Sequence, residues 1–349
     1  MSDRTAGAPY FRLFARFARE GLSPLYERLT LRCADDPEML ALAALARPGQ
    51  PQANILFAAV HFLLLAGAEH PLRSYYLSLG GTRLADESET YEVFRNFVWE
   101  NKAQIEPLIR TRVTNTNETG RSALIYPALD MIARKLNGPM QIIEIGPSAG
   151  LNLNWHRFGY RYFDETGNLR IERQTRSKLV LETHLRGRNE PFVAATLPEV
   201  ESNRGLELNP VDLSRPEERL WLRALIWPER IDRLRRLDAA LGVAAEHPPH
   251  IVVGDASRDL QALLTTLPRG PAVIVHTIVL YQFAVDALNA FETTLAAASM
   301  TREIYRVAVE QDGTNCAIDL FHYDGSCTRR RRLAICDPHG GWLEWQDQG

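Results

Sequence analysis

The strongest constraint on the fold is a change of hydrophobic pattern at Gly138-Pro139. Before it, from about residue 9, apolar residues recur at three- and four-residue spacing, which indicates helices, and no convincing strand is present. After it, short apolar runs that begin with Met140–Ile145 alternate with helical patterns, as in a mostly parallel sheet covered on both faces. The sequence therefore predicts an all-α N-terminal domain, residues 1–137, and an α/β domain, residues 138–349.

The α/β domain is predicted to contain more than the minimal alternation of strands and helices. Further strands are predicted at 251–253, 272–275 and 304–309, and helices at about 149–158, 217–241, 257–267 and 284–298. About 90 residues separate the first of these helices from the strand at 251, far more than a direct connection requires. We therefore expect a β-rich insertion at about residues 159–203. Residues 316–323 and 329–336 predict an antiparallel hairpin at the end of the chain.

The net charge of the chain is small. The 40 Lys and Arg residues and 43 Asp and Glu residues give a formal charge of -3, which provides no general attraction for nucleic acid or for anionic membranes. Small-molecule substrates are therefore expected. The arginine run 329–332 predicts a solvated strand edge, with a phosphate-binding patch as the alternative. The sequence does not indicate an oligomeric state.

The sequence predicts a cytoplasmic protein. Residues 1–5 lead into a mixed charged and aromatic stretch without a basic-then-apolar signal pattern. The longest apolar run, 55–68, has about 14 residues and contains His61, which makes it too short to cross a bilayer.

The cysteines do not form a recognisable redox or zinc motif, because none of them has C-x-x-C spacing. They are Cys33, Cys316, Cys327 and Cys336. A metal site formed by the last two with His322 and His339 matches no standard zinc spacing. Buried or edge thiols are therefore expected, and no metal is implied.

The segment Glu144-Ile145-Gly146-Pro147-Ser148-Ala149-Gly150 is the motif with the clearest chemical meaning, because it joins a predicted strand to a predicted helix. Gly146 and Gly150 lack Cβ atoms, so the backbone can approach a ligand, and amides at a helix start can face its polar groups. A dinucleotide fingerprint read from Gly146 would require glycine at Ser148 and Leu151. The turn therefore predicts a nucleotide site of another kind.

The turn resembles the first motif of class I S-adenosylmethionine-dependent methyltransferases, acidic-x-Gly-x-Gly-x-Gly, with Ser148 in place of the middle glycine. In that superfamily the matching segment wraps the methionine and ribose part of the cofactor. The resemblance implies a Rossmann-like methyltransferase domain with S-adenosylmethionine as its cofactor. It also implies four cofactor contacts, which are Glu144, Gly146, Ser148 and Gly150.

Two later segments resemble further motifs of the same superfamily. The segment 205–210 is similar to the end of its second strand, where a carboxylate accepts hydrogen bonds from both ribose hydroxyls, and Glu207 takes that role. Asp164 and Asp212 are alternatives, because the insertion obscures which strand is second. The segment 252–256 is similar to a strand whose final acid recognises the adenine amino group. Asp255 takes that role, with a helix N-cap as the alternative.

The strand at 272–275 ends in His276-Thr277, where class I methyltransferases present residues to the substrate and to the transferring methyl group. His276 is therefore a candidate general base, since the unperturbed pKa of imidazole lies nearest to neutral pH. The alternative is a structural histidine bonded to the backbone at the end of the sheet. Tyr281 is a second candidate catalytic residue, with core packing as its alternative.

The loop 114–121 consists of seven polar residues and a glycine between apolar helices. Its side-chain amides, carboxylate and guanidinium suit ligand recognition, so Asn117, Glu118 and Arg121 are candidate substrate-binding residues. The alternative is a solvated connection in which Ser122 caps the next helix.

Four segments together are similar to an uncharacterised bacterial family, domain-of-unknown-function family 2332. They are 116–121, 144–153, 209–212 and 221–229. The similarity covers nearly the whole chain and implies a methyltransferase-like fold without assigning a substrate. In the last segment, Trp221 and Trp227 are expected to pack in the core, with the wall of a substrate pocket as the alternative.

The expected function is methyl transfer from S-adenosylmethionine to an unknown small molecule. The first alternative is a non-catalytic nucleotide-binding or regulatory protein on the same fold, because a fold does not establish a function. The second alternative is a dehydrogenase that uses the turn for a dinucleotide.

Overall fold

The structure is a computed structural model that describes residues 6–85, 88–136, 138–194, 198–313 and 315–347. The chain forms two compact units. The first consists of Met1–Thr116 and Asp212–Leu237, and the second consists of Asn117–Val211 and Asp238–Gly349. The boundary predicted at residues 137 and 138 therefore falls within the second unit, and Asn137 itself lies outside the described residues, as do residues 1–5.

The helices of the described residues alternate with strands only after residue 139. The α-helices are α1 Gly7–Glu20, α2 Pro24–Cys33, α3 Pro37–Ala43, α4 Gln52–Leu65, α5 Thr90–Glu100, α6 Lys102–Thr111, α7 Ser122–Leu136, α8 Pro216–Ala224, α9 Ile231–Glu246, α10 Ala256–Thr265 and α11 Val285–Ser299. Short 3₁₀ helices are Pro71–Tyr75, Leu77–Leu79, Thr119–Arg121, Leu151–Arg157 and Leu280–Gln282. None of the helices described has the length and apolar composition needed to cross a bilayer.

The strands found among the described residues lie in the second unit. They are β1 Met140–Ile145, β2 Gly159–Phe163, β3 Leu169–Arg173, β4 Val180–Leu185, β5 Val200–Glu207, β6 His250–Val253, β7 Ala272–Thr277, β8 Ile304–Asp312, β9 Asn315–Tyr323, β10 Thr328–Cys336 and β11 Trp342–Trp345.

The core of the first unit is built around α4, which is apolar around its whole circumference, as is typical of a buried helix. Leu56 and Val60 are fully buried, and so is His61 in the same helix. The His61 ring is satisfied by Ser78, whose Oγ lies 2.8 Å from Nε2. Burial lowers the pKa of His61 to about 4, so this histidine is neutral at physiological pH.

The helix predicted at 217–241 is in fact two helices, α8 and α9, because Pro228 interrupts the pattern. Trp221 of α8 is 3% exposed and donates from Nε1 to the carbonyl of Val113 at 2.9 Å. Trp227 packs edge-on against Phe14, with ring centroids 5.6 Å apart. Both tryptophans thus contribute to the core of the helical unit.

The strands described in the second unit form a single sheet in the order β3-β2-β4-β11-β10-β9-β8-β7-β1-β5-β6. The five strands β6, β5, β1, β7 and β8 run parallel to one another. The predicted C-terminal hairpin is present as β9 and β10, and β9 also pairs antiparallel with β8. The predicted insertion is present as β2, β3 and β4. The α/β class, with a largely parallel sheet and a helical N-terminal region, is confirmed.

Helices cover both faces of the sheet. Ile304 belongs to a buried cluster with Leu260 of α10 and Phe291 of α11. The next residue, Tyr305, lies beneath Lys135 of α7, whose Nζ is 5.2 Å from the ring centroid. Because successive residues of a strand point to opposite faces, α10 and α11 cover one face and α7 covers the other. This explains why every residue of β1 and β7 is buried.

The α-helix predicted at about 149–158 is instead the 3₁₀ helix Leu151–Arg157. Gly150 precedes it in the left-handed conformation. The side-chain amides of Asn152 and Asn154 donate to the carbonyl oxygens of Glu118 and His247, at 3.3 and 3.0 Å. These bonds join the segment to backbone 34 and 93 residues away, so its conformation follows its tertiary contacts.

Candidate functional site at the carboxyl ends of the parallel strands

The central strand β1 marks the point where the strand order reverses, with β5 on one side and β7 on the other. In open α/β sheets, ligands bind outside the carboxyl ends of the strands at such a point. Ile145, the last residue of β1, is paired with Leu206 of β5 and with His276 of β7. The glycine turn that follows Ile145 therefore lies at the edge where a ligand site is expected.

The glycine turn has three residues with positive φ, namely Gly146 at 67°, Ser148 at 58° and Gly150 at 72°. A Cβ atom at residue 146 would lie 2.5 Å from Cγ2 of Val279, and one at residue 150 would lie 2.7 Å from Cβ of Pro249. Both glycines are therefore required by conformation and by space. Ser148 adopts a conformation that is uncommon outside glycine and that is concentrated at functional sites.

Several amides of the turn are already used within the second unit. The amide of Ser148 donates to Oε2 of Glu207 at 2.8 Å, and that of Gly150 donates to the Pro147 carbonyl at 2.8 Å. The amide of Leu151 donates to Oδ1 of Asn117 at 2.9 Å. Because these amides are satisfied and no α-helix follows, the turn lacks the helix N-terminus on which dinucleotide pyrophosphates are held.

Glu207 is the last residue of β5 and is 9% exposed. Its Oε2 accepts from the amide of Ser148, and its Oε1 accepts from the amide of Asn209 at 3.0 Å. A carboxylate offers about four acceptor positions, so two more hydrogen bonds can be accepted. The side chain is thus held rigidly beside the glycine turn with acceptor capacity left.

The two alternatives to Glu207 have local roles. Asp164 lies in the turn between β2 and β3 and accepts from the amides of Thr166 and Asn168 at 3.0 and 2.9 Å. Asp212 accepts from the amide of Ser214 at 2.9 Å. Neither of them ends a strand that pairs with β1.

Glu144 lies in β1 just before the turn and is 4% exposed. No hydrogen bond to its carboxylate occurs among the residues that the structure describes. Burial raises the pKa of Glu144 to about 8, with a further contribution from the negative charge of Glu207 and an opposing one from Arg121. An acid with few partners, buried beside a second acid, provides a position that favours a bound cation.

Asp255 follows β6 and caps α10, because its Oδ1 accepts from the amide and the hydroxyl of Ser257 at 2.9 and 2.7 Å. The hydrogen bond from the Ser257 hydroxyl lowers the pKa of Asp255. Val253, two residues before Asp255, is 69% exposed, and Leu208, which follows Glu207, is 58% exposed. Since Glu207 and Val253 are paired, Leu208 and Val253 lie at the ends of adjacent strands.

His276 is fully buried at the end of β7. Its Nδ1 lies 2.7 Å from Oε1 of Glu310 in β8, its ring meets Phe291 edge-on, and its Nε2 has no hydrogen-bond partner within the described part of the chain. Burial lowers the pKa of His276, and the contact with Glu310 opposes that shift. The structure therefore describes a histidine held in the core by a carboxylate. The alternative to a general base, a structural histidine, was predicted to bond to the backbone instead.

Glu310 also fixes the turn after β7. Its Oε1 accepts from the amides of Val279 and Leu280 at 3.2 and 3.3 Å. The preceding residue, Ile278, has φ at 54°, which is rare for a β-branched residue and indicates local strain. Tyr281 extends from this turn and is 60% exposed, so it is available at the surface of the second unit and is not packed in the core.

The polar residues before α7 connect the loops at this edge. Besides the contact of Asn117 with Leu151, Oε1 of Glu118 accepts from the amide of Gly120 at 3.1 Å. Arg121 donates from Nε to the carbonyl of Pro338 at 3.0 Å and from Nη1 to that of Thr277 at 3.1 Å. Asn117, Glu118 and Arg121 therefore have structural roles at the carboxyl edge, next to the glycine turn and the end of β7.

A family model of uncharacterised proteins conserved in bacteria, domain-of-unknown-function family 2332, matches residues 8–345. The chain belongs to this family. No curated protein and no solved structure matches it significantly. The match to family 2332 therefore includes residues of both units, and it does not assign an activity.

The sequence motifs of this family 2332 chain did not indicate two residues of the site. Glu310 holds His276 and the strained turn, and His339 places Nδ1 3.4 Å from Oε2 of Glu118. Glu310 directly follows the strand predicted at 304–309, and His339 lies in the turn-rich segment 337–341 that follows the predicted hairpin. An acid or a histidine just after a predicted strand is the signal by which both could have been found.

The arginine run of the family 2332 chain lies in the part of β10 that pairs with β9, whereas β10 pairs with β11 at Ala334, Ile335 and Cys336. The run is exposed at 329–331, as predicted for a solvated strand edge. Each arginine also has an acidic partner. The ion pairs are Arg329 with Asp324, Arg330 and Arg332 with Asp319, and Arg331 with Asp347. This neutralisation disfavours a phosphate-binding patch.

The cysteines are free, with Cys33, Cys316 and Cys336 buried and Cys327 exposed. The three buried cysteines therefore match the prediction of buried thiols. Within the described ranges, no group of three or more His, Cys, Asp or Glu side chains is arranged to hold a metal ion.

Proposed function

We propose that the second unit is an S-adenosylmethionine-dependent methyltransferase domain that acts on a small molecule. The observation that carries the proposal is that three neighbouring parallel strands each lead into a predicted cofactor contact. β1 leads into the turn after Glu144, β5 ends in Glu207, and β6 leads into Asp255. These residues are between 48 and 111 positions apart in the sequence, and the strands that lead into them are adjacent.

The charge at the glycine turn favours a cationic ligand over a dinucleotide. S-adenosylmethionine carries a positive sulfonium and a positive ammonium group, whereas NAD carries a pyrophosphate. Glu144 and Glu207 are close enough for the charge of Glu207 to raise the pKa of Glu144. A bound cation would favour the charged form of Glu144, whereas a pyrophosphate would disfavour it further. The satisfied amides of Ser148 and Leu151 also leave few donors for phosphate oxygens.

The exposed side chain of Val253, at the end of β6, suits the flat face of an adenine ring. A large apolar side chain at a strand end leaves water-exposed surface that a planar ligand can cover. Asp255 follows Val253 by two residues and uses Oδ1 to cap α10. Its Oδ2 can therefore accept a hydrogen bond from the adenine amino group, at the cost of the 3.4 Å ion pair with Arg258.

Methyl transfer requires mainly that the two reactants are correctly positioned. A substrate nucleophile attacks the methyl carbon in line with the breaking carbon–sulfur bond, and the electron pair of that bond stays on sulfur. Holding the two reactants in this geometry and excluding water provide most of the acceleration. The hydrogen bonds that hold Glu207 and the glycine turn in place support such a fixed geometry.

The test is titration calorimetry of the purified chain with S-adenosylmethionine, S-adenosylhomocysteine and NAD. We expect binding of the first two and no binding of NAD. Saturating S-adenosylhomocysteine at about 100 times its Kd should also stabilise the protein by about 2.7 kcal/mol. Absence of binding by both sulfur compounds would overturn the proposal.

A matched pair of glycine variants locates the site. Gly146→Ala and Gly167→Ala both place alanine at positive φ, but only residue 146 adjoins another side chain, since nothing lies within 4 Å of a Cβ at residue 167. We expect Gly146→Ala to weaken the binding of S-adenosylhomocysteine at least about tenfold, because the new Cβ would force the Val279 side chain away from the turn. Gly167→Ala should bind normally. Equal affinities for the two variants would place the cofactor elsewhere.

Binding and catalysis are separated by a second assay. Transfer of a labelled methyl group is measured over panels of hydroxyl, amine, carboxylate and thiol compounds. Transfer to any of them establishes an enzyme. Binding of both sulfur compounds with no transfer to any class supports the non-catalytic alternative.

A further inference from the structure

Cys316 and Cys336 face each other across the C-terminal hairpin. Cys316 is the second residue of β9, Cys336 is the last residue of β10, and the two are direct partners in the antiparallel ladder. Residues directly opposite each other in such a ladder have Cα atoms about 4.5 or 5.5 Å apart, and their side chains point to the same face. A disulfide requires a Cα separation of about 4.4–6.8 Å. The backbone of this pair therefore already meets the requirement for a disulfide.

The two thiols lie on the face of the sheet that α7 covers. Cys316 and His322 are six residues apart in β9, so their side chains point to the same face. The ring of His322 stacks on Tyr305, with centroids 4.6 Å apart, and Lys135 of α7 lies over Tyr305. Cys316 is 1% exposed and Cys336 is 0% exposed. Only a small reagent can therefore reach the pair in the folded protein.

The other two cysteines have different surroundings. Cys33 is fully buried in the core of the first unit. Cys327 is exposed and directly precedes β10. It is separated from Cys336 by the length of that strand, about 30 Å at about 3.4 Å per residue, which is too far for a disulfide. Within the second unit, Cys316 is thus the partner that the sheet provides for Cys336.

Both facing thiols are protonated at neutral pH. Burial raises the pKa of Cys316 to about 11, with contributions from Glu310 and Asp337 and an opposing one from Arg121. Burial also raises the pKa of Cys336, and the charge of a Cys316 thiolate would raise it further. Because the thiolate is the reactive form, the pair persists as two thiols until an oxidant is present.

We propose that Cys316 and Cys336 form a reversible cross-strand disulfide when the protein meets a peroxide. Cys316 follows the exposed residue Asn315 and is therefore the thiol nearer to solvent. Its sulfur attacks one oxygen of hydrogen peroxide, the oxygen–oxygen bond breaks, and a sulfenic acid and one water form. The sulfur of Cys336 then attacks the sulfenic sulfur and expels a second water. Two thiols are thus oxidised to one disulfide as one peroxide is reduced to two waters, and a dithiol reductant reverses the change.

The disulfide would act on the loop between β10 and β11. Cys336 leads directly into this loop, 337–341, which Asp337 shapes by accepting from the amides of His339 and Gly341 at 3.0 and 2.8 Å. β10 runs in the direction of β8, since both are antiparallel to β9, so the loop leaves the sheet at the carboxyl edge of the parallel strands. The disulfide would fix the base of this loop. Its formation requires neither a cofactor nor a substrate and is independent of the proposed methyl transfer.

The test uses the full chain with Cys327→Ser, which removes the exposed thiol and leaves Cys33, Cys316 and Cys336. The folded protein is treated with excess hydrogen peroxide, the peroxide is removed with catalase, and free thiols are then alkylated in urea. We expect the intact mass to show the loss of two hydrogen atoms and the gain of a single alkyl group, carried by Cys33. Treatment with dithiothreitol before alkylation should restore alkylation of all remaining thiols.

Peptide mapping without reduction identifies the linkage. Trypsin separates the two cysteines into peptides 307–329 and 333–349, which should be recovered as one disulfide-linked species. Cys316→Ala should abolish this species. The matched control is Cys33→Ala, which removes a buried thiol of the first unit and should retain it.

Thermal unfolding supplies a second readout. A disulfide that closes the ring of residues 316–336 restricts the unfolded chain, so oxidation should raise the unfolding midpoint of the second unit by at least about 4 °C. Oxidised Cys316→Ala and Cys336→Ala should show no such rise. Their unfolding before oxidation checks that each variant is folded.

Three results would overturn the proposal. The first is oxidation of the folded protein without the linked peptide species. The second is a linked species that forms only when peroxide is added in urea, which would mean that the folded strands hold the two sulfur atoms apart. The third is an equal rise in the unfolding midpoint of the parent protein and of Cys316→Ala.

Discussion

Glu144 and Glu310 are carboxylates with contrasting surroundings. Glu310 accepts from two backbone amides and faces the ring of His276, whereas no hydrogen bond reaches Glu144 from the described residues. Glu310 is consequently a fixed structural acceptor for the strained turn at Ile278. Glu144 is buried with little compensation, which is costly for a charged group unless a ligand supplies the missing partner.

Glu144 should make folding stability depend on pH. Its pKa rises from the ordinary 4.5 to about 8 on folding, so the folded protein holds one more proton than the unfolded chain between these values. The contribution of the protonated carboxyl to the free energy of unfolding is fully present below pH 4.5 and is lost as pH rises towards 8. The loss is about 1.4 kcal/mol per pH unit where the difference is one full proton.

Urea unfolding of the protein and of Glu144→Gln between pH 5 and pH 8 measures this dependence. The amide cannot ionise, so the variant should lose less stability over this range than the unsubstituted protein. Glu201→Gln, a change in the neighbouring strand β5, serves as the control. Parallel pH profiles for Glu144→Gln and the unsubstituted protein would show that Glu144 is ionised at neutral pH.

Replacement of Glu310 should destabilise the second unit. Glu310→Ala leaves the amides of Val279 and Leu280 and the ring of His276 without their acceptor, which should cost about 2–4 kcal/mol. Glu310→Gln retains an acceptor oxygen and should cost less. Chemical denaturation compares the two variants, and equal losses would mean that the acceptor role has been misassigned.

At the scale of elements, the short loops at the carboxyl edge are interlocked. Gly340 has φ at 83°, and a Cβ there would lie 2.3 Å from the carbonyl oxygen of Gly120. The turn before α7 and the loop before β11 therefore approach closely because each presents glycine to the other. This contact positions both Glu118 and His339 without help from a long helix or strand.

Gly340→Ala and Gly313→Ala form a matched pair for this contact. Both glycines have positive φ, but a Cβ at residue 313 meets nothing within 4 Å. Gly313→Ala should cost about 1–2 kcal/mol from backbone conformation alone, and Gly340→Ala should cost at least about 2 kcal/mol more. Thermal unfolding measures the difference, and a similar loss for both variants would contradict the close packing of the two loops.

At the scale of the whole molecule, the helical unit is built from two separate parts of the chain. Trp221 and Ala224 of α8 are buried in the core formed by the helices of the first 116 residues. Glu229, from the same later segment, accepts from the amide of Leu25 at 2.8 Å at the start of α2. The N-terminal part therefore lacks a piece of its core when it is separated from residues 212–237.

A fragment of residues 1–116 should not unfold cooperatively by itself. Addition of a peptide of residues 212–237 should restore a cooperative transition and the near-ultraviolet circular dichroism of packed aromatic rings. A peptide with Trp221→Ala should fail, because burial of this ring contributes several kcal/mol. Cooperative unfolding of the fragment without any peptide would show that the first 116 residues complete their own core.

Much of the α/β unit follows from local patterns. The strands at 251–253, 272–275 and 304–309 and the hairpin at 316–336 are visible as apolar runs between turn residues, because strands buried on both faces have little room for polar side chains. The helix predicted at about 149–158 was wrong, because asparagine contacts to distant backbone override local periodicity there.

The candidate site was predictable only where a residue type marked a strand end. Glu207 and the glycine turn are such cases, since an acid or a glycine directly after an apolar run contributes little to packing of the core. His276 carries the same mark and is nevertheless buried, because Glu310 holds its ring inside the core. The side that a terminal residue faces depends on neighbouring strands that are distant in sequence.

The sequence by itself determined the class of fold, the position of the glycine turn and the membership of family 2332, because each of these depends on residues close together in the chain or on their order. Only the tertiary structure decided that Glu207 bonds to the glycine turn, that segment 212–237 completes the helical core, and that Glu118 meets His339. The partners in these contacts are between 59 and more than 200 residues apart. Strand order and loop packing bring them together, and neither is encoded in a local pattern.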